Sequence, residues 1–290
     1  MFTGIDHVMI AVADLSSGIA QFRRLGFDVQ PGGRHPGRGT HNALACNDGD
    51  YLELIAVEDA QAYAATGTQG RPNTGLTDFV AAGGGIRYLA IRSDDLAGDV
   101  AAMRARGVEV SDPVEGRRET PDGLTLRWRT ARLGAGNALP LFFIEHLTQT
   151  VRGAAVDHPN RVQRLERAYI VVNDATAASL LYARVLGMPV PALQKGTVIM
   201  SHMAIFDIGR TGLGVVQPYA PGPAAEALAR RGEGPFQALY RTAGMEAAAA
   251  WMSSQGVPPL ARGVRNTGEQ AMLATPAEAC GAYIGFVGPA

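Results

Sequence analysis

Three ionisable side chains lie within stretches that otherwise have the composition of buried strands. His7 stands in GIDHVMIAVADL, Glu53 in YLELIAV and Glu145 in LFFIEHL. An unpaired charge in such a strand is costly, and a bound divalent cation would offset that cost. One imidazole with two carboxylates suits Fe(II), Mn(II), Ni(II) or Zn(II). These residue types therefore indicate a divalent metal site, provided that the fold brings them together.

The composition narrows the class of partner. The 290 residues are 47% apolar and 18% charged, with a net charge of −1 and no clustering of basic residues. This balance argues against binding to nucleic acid or to a membrane surface. No apolar run is long enough to span a bilayer, and the N-terminus does not have the pattern of a signal peptide. Two distant cysteines are typical of thiols in a reducing compartment. We expect a soluble cytoplasmic protein that acts on a small molecule.

A strand followed by a helix recurs four times along the chain. In the first three copies Asp14, Asp95 and Asp174 are suited to cap the helix N-terminus, and a glycine follows each helix where a left-handed residue can end it. The fourth copy lacks the capping acid. The copies are IDHVMIAVADLSSGIAQFRRLGFDV, IRYLAIRSDDLAGDVAAMRARGVEV, LERAYIVVNDATAASLLYARVLGMPV and PFQALYRTAGMEAAAAWMSSQGVPP.

Further strand-like runs follow each helix, so each copy predicts one βαβββ module. A sheet of that size buries one face on its helix, and two such sheets side by side can curve into a cup. The predicted fold is α+β, with four modules paired into two cup-shaped mixed-sheet barrels. We place a first domain at residues 1–150, a linker at 151–166 and a second domain at 167–290.

Paired βαβββ modules resemble the vicinal oxygen chelate superfamily, which includes glyoxalase I, extradiol dioxygenases and bleomycin-resistance proteins. The stretches IDHVMIAVADL, GGRHPGRGTHN, YLELIAV, PDGLTLRWR, LPLFFIEH and HPN are most similar to its glyoxalase-like branch. The resemblance covers about the first 160 residues through these motifs and the rest only through the repeat.

In this superfamily a metal lies in the cup and takes its ligands from the first and last strands of two paired modules. The resemblance therefore implies metal ligands at His7, Glu53 and Glu145, with Tyr88 at the fourth place. At the matching places the second pair of modules offers no histidine and no carboxylate. Its residues there are Arg167, Gln237, Gly214 or Val215, and Gly285.

The fourth place leaves alternatives open. Tyr88 would ligate weakly, donate a proton, or leave a position for water. A second histidine, His41 or His146, would be the substitute ligand. Since strand alternation turns His146 away from Glu145, we favour His41.

Two stretches predict contacts with substrate. In GGRHPGRGTHN, His35, Arg38, Thr40 and His41 would clamp a carboxylate or phosphate, and the alternative is a solvated hairpin. In LTLRWRTARL, Arg127 and Arg129 share one face and Trp128 takes the other. If the arginines face the cup, the substrate is anionic; if Trp128 does, it is apolar.

These expectations favour a metal-dependent lyase, isomerase or dioxygenase acting on a small, anionic, oxygen-bearing substrate. The metal would stabilise an oxyanionic state, Glu145 or Glu53 would act as general base, and Tyr88 as general acid. The alternative is a non-catalytic protein that sequesters a small molecule in the same cup, and an inactive scaffold is a third possibility. The second domain is expected to be structural or to form a homodimer surface.

Overall fold

The computed structural model describes residues 1–67, 72–120, 123–137, 139–148, 157–265 and 267–289. Two eight-stranded sheets follow one another along the chain, and their strand orders are identical when eight is added to each number of the first. The strands of the first sheet are β1 Phe2–Ala11, β2 Gln30–His35, β3 Thr40–Cys46, β4 Tyr51–Val57, β5 Gly85–Ser93, β6 Val114–Glu119, β7 Thr125–Arg132 and β8 Leu141–His146. Those of the second are β9 Val162–Val171, β10 Gln194–Gly196, β11 Ser201–Ile208, β12 Thr211–Pro218, β13 Gly234–Thr242, β14 Ala261–Val264, β15 Gln270–Ala274 and β16 Tyr283–Gly288.

The order of the first sheet is β2-β3-β4-β1-β5-β8-β7-β6. Strand β1 pairs in parallel with β4 and antiparallel with β5, and β5 pairs in parallel with β8. This places the first and last strands of both modules side by side at the centre of the sheet. The first sheet forms a nearly closed barrel and the second a half-barrel, which confirms the predicted α+β fold of paired modules.

Seven α-helices accompany the sheets in the described ranges. The capping prediction is confirmed, because Asp14 accepts from the amide of Ser17, Asp95 from that of Gly98, and Asp174 from those of Thr176 and Ala177. The helix of the fourth copy has no side-chain cap. The helices are α1 Leu15–Arg24, α2 Ala60–Ala65, α3 Gly75–Ala81, α4 Leu96–Ala105, α5 Ala175–Leu186, α6 Pro223–Arg231 and α7 Met245–Ser254.

Strand β9 begins at Val162. Residues 162–166, which the sequence placed in the linker, therefore belong to the first strand of the second sheet, and residues 151–156 lie outside the described part. The division into two domains stays a prediction. In the described part of the chain, no helix is long and apolar enough to cross a membrane.

One hydrophobic cluster extends through both halves of the chain. The ring of Phe27, from the first half, lies 5.1 Å from that of Tyr240 and 5.9 Å from that of Phe286. The side-chain amide of Asn160 donates to the carbonyl of Leu25 across the same boundary. The two halves therefore share a core, and the first cup, meaning the concave face of the sheet β1–β8, is held against this common support.

A buried carboxyl group lies at the boundary between the halves. Asp50 accepts from the side-chain amide of Asn47 at 2.6 Å and from the backbone amide of Leu165 at 2.9 Å. Burial raises its pKa from 3.8 to about 6, against the opposing effect of these two hydrogen bonds. Because folding raises this pKa, the contribution of Asp50 to stability is complete below pH 3.8 and is lost as the pH rises through about 6.

We therefore expect Asp50→Asn to remove a pH-dependent part of the stability. Between pH 5 and pH 8, the free energy of unfolding of the wild type should fall relative to that of the variant by about 1.5 kcal/mol. Urea unfolding at the two pH values measures the difference. Asp48→Asn, at an exposed position of the same turn, is the control and should follow the wild type; equal pH dependence of wild type and Asp50→Asn would contradict the assignment.

Candidate functional site

A cavity of about 650 Å³ occupies the first cup. Alternate residues of the strands line it, as expected for one face of a pleated sheet. Five strands show this alternation. Their lining residues are His7 and Met9 of β1, Thr40, Asn42 and Leu44 of β3, Tyr51, Glu53 and Ile55 of β4, Trp128, Thr130 and Arg132 of β7, and Phe142, Ile144 and His146 of β8.

A carboxylate with no solvent exposure, that of Asp6, lies behind the cavity wall. Its Oδ1 is 2.9 Å from Nδ1 of His7, and its Oδ2 is 2.9 Å from Nε2 of His146. Nε of Arg92 donates to the same Oδ2 at 2.8 Å. One buried carboxylate thus holds two cavity-lining imidazoles and a guanidinium.

A β-bulge explains how Asp6 reaches the side chain of its neighbour. In a regular strand adjacent side chains point to opposite faces. Here Ile5 pairs with Ile91 and His7 pairs with Ala90, so Asp6 is an extra residue that β5 does not match. A bulge re-aims a side chain, and it is common next to functional sites. The strand pattern alone does not reveal it.

Hydrogen bonding keeps Asp6 ionised. Burial favours the neutral acid, but the hydrogen bonds from His146 and His7, together with their charges, outweigh it and hold the pKa of Asp6 well below its ordinary value. An ionised carboxylate can only accept hydrogen bonds. His7 must therefore carry a proton on Nδ1, and His146 must carry one on Nε2.

The other nitrogen of His7 faces Glu53. Nε2 of His7 lies 3.4 Å from Oε2 of Glu53, and the side-chain amide of Asn42 donates to Oε1 of Glu53 at 2.6 Å. The ring of His7 stacks on that of Tyr51, with centroids 4.5 Å apart. Since Nδ1 already donates to Asp6, the contact between Nε2 and Oε2 is attractive only when a proton lies on one of these two atoms. His7 and Glu53 therefore form a proton-holding pair in the cavity wall.

The sequence assigned the wrong face of β8 to the cup. His146 lines the cavity, and its buried Nδ1 has no hydrogen-bond partner among the described residues. Glu145 is absent from the lining and lies 3.8 Å from Nη1 of Arg129. The pairing between strands shows why. Met9 of β1 pairs with Glu53, whereas Ala90, the matching residue of β5, pairs with Phe142. Phe142, and not Glu145, occupies the place in the second module that Glu53 occupies in the first.

The expected metal site does not fit these donors. Of the predicted set, His7 and Glu53 come together and Glu145 does not. Within the described ranges, no group of three His, Cys, Asp or Glu side chains is placed to hold a metal ion. Tyr88 lines the cavity, but the remaining equivalent place belongs to Phe142, which cannot ligate.

The hairpin between β2 and β3 is divided between the cavity and the outside. His35, Arg38 and Thr40 line the cavity, and Nδ1 of His35 lies 2.8 Å from the hydroxyl of Thr40. Burial lowers the pKa of His35, which favours a neutral ring at neutral pH. His41 is not among the lining residues and lies 3.8 Å from Glu58. The structure does not bring His41, expected as the substitute ligand, to His7 and Glu53, because it lies on the opposite face of β3 from Thr40 and Asn42.

Strand β7 presents Trp128 to the cavity. Arg127 lies on the other face and donates to Glu115 at 2.8 Å, while Arg129 lies 3.6 Å from the same carboxylate. The structure therefore places Arg127 and Arg129 outside the cavity lining, and Trp128 is the residue of this stretch that faces inside.

The cavity is nevertheless cationic. Among the described residues of its lining, Glu53 is the one acid, and there are five arginines: Arg38, Arg87, Arg117, Arg118 and Arg132. The buried Arg118 donates to the carbonyl of Gly32. The guanidinium of Arg132 lies 5.6 Å from the ring of Tyr88 and 5.2 Å from that of Phe142. Of these arginines, Arg38 was predicted from the sequence and the other four were not, although Arg132 lies on the same face of β7 as Trp128.

Comparison with known proteins agrees with this architecture. The family model described as "Glyoxalase-like domain" matches residues 5–186, more than half of the chain. A hypothetical protein from Staphylococcus aureus superposes with a TM-score of 0.67 at 13% identity, over 98% of this chain and 99% of that one. A variant of 4-hydroxymandelate synthase from Streptomyces coelicolor has a TM-score of 0.67 at 13% identity, over 99% and 93%.

A third solved structure, a xylose isomerase-like TIM barrel/4-hydroxyphenylpyruvate dioxygenase fusion protein, has a TM-score of 0.62 at 13% identity, over 99% of this chain and 49% of that one. At these identities the likeness shows the fold alone, which is that of the vicinal oxygen chelate superfamily. No curated protein matches the sequence.

We expect Asp6→Asn to destabilise the protein strongly. The change leaves Arg92 partly buried without its carboxylate, and loss of one partner of a buried ion pair costs about 3–5 kcal/mol. Urea unfolding at neutral pH measures the loss. Glu166→Gln is the matched control, because Glu166 makes the corresponding but more exposed pair with Arg241 in the second half; its cost should be smaller. A loss no greater in Asp6→Asn than in Glu166→Gln would contradict this role of Asp6.

Proposed function

We propose that this chain, which belongs to the glyoxalase-like domain family, binds a small anionic molecule in its first cup and moves a proton to or from it. The reaction class that this favours is that of an isomerase or a lyase. The observation that carries the proposal is the facing pair of His7 and Glu53 in a cationic cavity.

Charge supports an anionic substrate. In the described lining five arginines outnumber one glutamate, so the field of the cavity attracts negative charge. An arginine guanidinium pairs with a carboxylate or phosphate through two parallel hydrogen bonds. We assign this contact to Arg132, which lies over the rings of Tyr88 and Phe142, and to Arg38 of the hairpin between β2 and β3.

The rest of the lining supports a partly apolar substrate. Trp128, Phe142, Ile144 and Met9 form an apolar wall, in which Phe142 also contacts the ring of His7 edge-on with centroids 5.5 Å apart. A cavity of about 650 Å³ lies within the usual range for ligands of metabolite size. A small organic acid with an apolar or aromatic part matches both walls.

The chemistry follows from the proton between His7 and Glu53. When the proton lies on His7, Glu53 is a carboxylate that can accept a proton from a carbon atom next to a carbonyl or carboxylate group. His7, held by Asp6, then stabilises the developing charge as an imidazolium or returns the proton. Proton removal of this kind begins many isomerisations and eliminations. In this proposal Glu53 takes the role of base that the sequence assigned first to Glu145, and Tyr88 as a general acid stays a prediction.

The alternative is a binding protein that sequesters the same anion. The cationic and apolar walls serve that function equally, and the absence of a three-donor metal site among the described residues is compatible with it. The two functions differ in one observable, which is whether a bound acid exchanges its α-hydrogen with solvent.

The experiment uses a panel of small 2-oxo, 2-hydroxy and aryl-substituted carboxylic acids in deuterated water, with proton NMR to follow exchange at the α-carbon and calorimetry to follow binding. We expect the wild type to exchange at least one acid that it binds. Glu53→Gln should lower that exchange rate by about 100-fold or more while binding changes only a few-fold.

Glu145→Gln is the control, since Glu145 lies outside the cavity, and it should exchange at the wild-type rate. Arg132→Met should weaken binding of the acid. Exchange by Glu53→Gln at the wild-type rate would refute the role of Glu53. Binding by the wild type with no exchange across the panel would favour sequestration.

A further inference from the structure

A second cavity, of about 320 Å³, lies between the two halves of the chain. On one side it is lined by Phe79 of α3, by Arg87 and Tyr88 of β5 and by Pro140 ahead of β8. On the other side lie Arg231 at the end of α6 and Phe236 of β13. Its walls are therefore aromatic and apolar, with one guanidinium contributed by each half.

Arg87 has no polar partner in the part of the chain that the structure describes. Its contacts there are with rings: the guanidinium lies 5.1 Å from the ring centroid of Phe79 and 4.5 Å from that of Tyr88. A half-buried guanidinium presents five N–H donors, and here no carboxylate or carbonyl among the described residues accepts from them. Such a group is suited to an anion from outside the chain.

A bulge places Arg87 in this position. Met9 pairs with Tyr88 and Ile10 pairs with Ile86, so Arg87 is an extra residue in β5. A bulge turns its side chain out of the regular alternation. As a result Arg87 and Tyr88 both line the first cup and the second cavity.

Arg231 brings a second cation to the same ring. Its guanidinium lies 5.5 Å from the ring of Phe79 and donates to the carbonyls of Gly84 and Pro235. In the described residues no carboxylate pairs with it. Burial, and then the charge of Arg230, lower the pKa of Arg231 to about 10. Two guanidiniums thus share one aromatic ring, and no carboxylate of the described residues pairs with either of them.

Glu233, the one carboxylate among the described residues of the lining, is already engaged. Oε1 of Glu233 accepts from the backbone amide of Asn173 at 2.7 Å and from its side-chain amide at 2.8 Å. Among the described residues no ion pair joins Glu233 to either arginine, and two guanidiniums against one carboxylate leave the lining with an excess of positive charge.

We propose that the second cavity is a separate binding site for a small carboxylate with an apolar or aromatic body, held between Arg87 and Arg231. The two guanidiniums match a planar carboxylate, and the rings and prolines match the body. The volume suits a ligand at the small end of the usual range. Because Arg87 also lines the first cup, a ligand here withdraws that cation from the cup and so alters binding there.

The test uses 4-bromobenzoate, whose bromine can be located in crystals by anomalous scattering. In the full chain we expect a bromine peak among the apolar side chains of the second cavity, with the carboxylate at the opposite end of the ring between Arg87 and Arg231. In solution, calorimetry of Arg231→Met should show this site weakened by at least about tenfold, with Arg231→Lys intermediate. Arg87→Met should weaken this site as well as any site in the first cup.

Arg230→Met is the matched control. Arg230 precedes Arg231 on α6, donates to the carbonyl of Gly281 at 2.9 Å and does not line the cavity, so this variant should bind as the wild type does. Absence of the bromine peak from the second cavity would overturn the proposal, whatever occupies the first cup. So would equal binding by wild type, Arg231→Met and Arg231→Lys, each shown to unfold cooperatively.

Discussion

The buried carboxylate of Asp6 is the constraint on which the first cup depends. A charge without solvent is costly unless its hydrogen-bonding capacity is filled, and Asp6 fills it with His7, His146 and Arg92. The same bonds fix which nitrogen of each imidazole carries a proton. The stability of the centre of the sheet and the chemical state of the cavity wall therefore follow from one interaction.

Comparison of matching positions in the two halves shows which features belong to the repeated fold and which belong to the candidate site alone. Glu166 occupies the corresponding bulge of β9 and accepts from Arg241 at 2.9 Å, as Asp6 accepts from Arg92 at 2.8 Å. In the second half, however, Arg167 stands where His7 stands in the first, and Gly214 stands where Glu53 does. A side chain at Gly214 would lie 2.5 Å from the ring of Tyr169. The acid–arginine pair thus belongs to the repeated fold, and the proton-holding pair exists only in the first half.

What the sequence predicted correctly depends on short-range physics. Helix caps such as Asp14 and the glycines after the helices act within one turn, so their spacing is readable directly. The modules and their pairing into cups followed from repetition of these local signals. The family resemblance also placed His7 and Glu53 together, and the parallel pairing of β1 with β4 is the structural reason that they meet.

The errors come from features that local patterns do not contain. The similarity of LEL and IEH suggested that Glu145 is the counterpart of Glu53, but the inter-strand register gives that place to Phe142. Glu145 lies three residues after Phe142, and an odd offset along a strand puts its side chain on the opposite face of the sheet. For the same reason His146, which was expected to point away from the cup, lines the cavity. Asp6 was missed because alternation turns it away from His7, and only a bulge brings it back. The sequence contained one signal for the role of Asp6. In both halves an acid, Asp6 or Glu166, directly precedes the first-strand ligand position, and an arginine lies on the neighbouring strand.

The protonation of the two imidazoles tests the central claim most directly. Long-range nitrogen–proton correlation spectra of the 15N-labelled protein at neutral pH report which ring nitrogen of each histidine is protonated, with His7→Gln and His146→Gln to assign the signals. The account predicts a proton on Nδ1 of His7, and for His146 a proton on Nε2 with Nδ1 bare. A neutral His146 protonated on Nδ1, or a His7 without a proton on Nδ1, would contradict it.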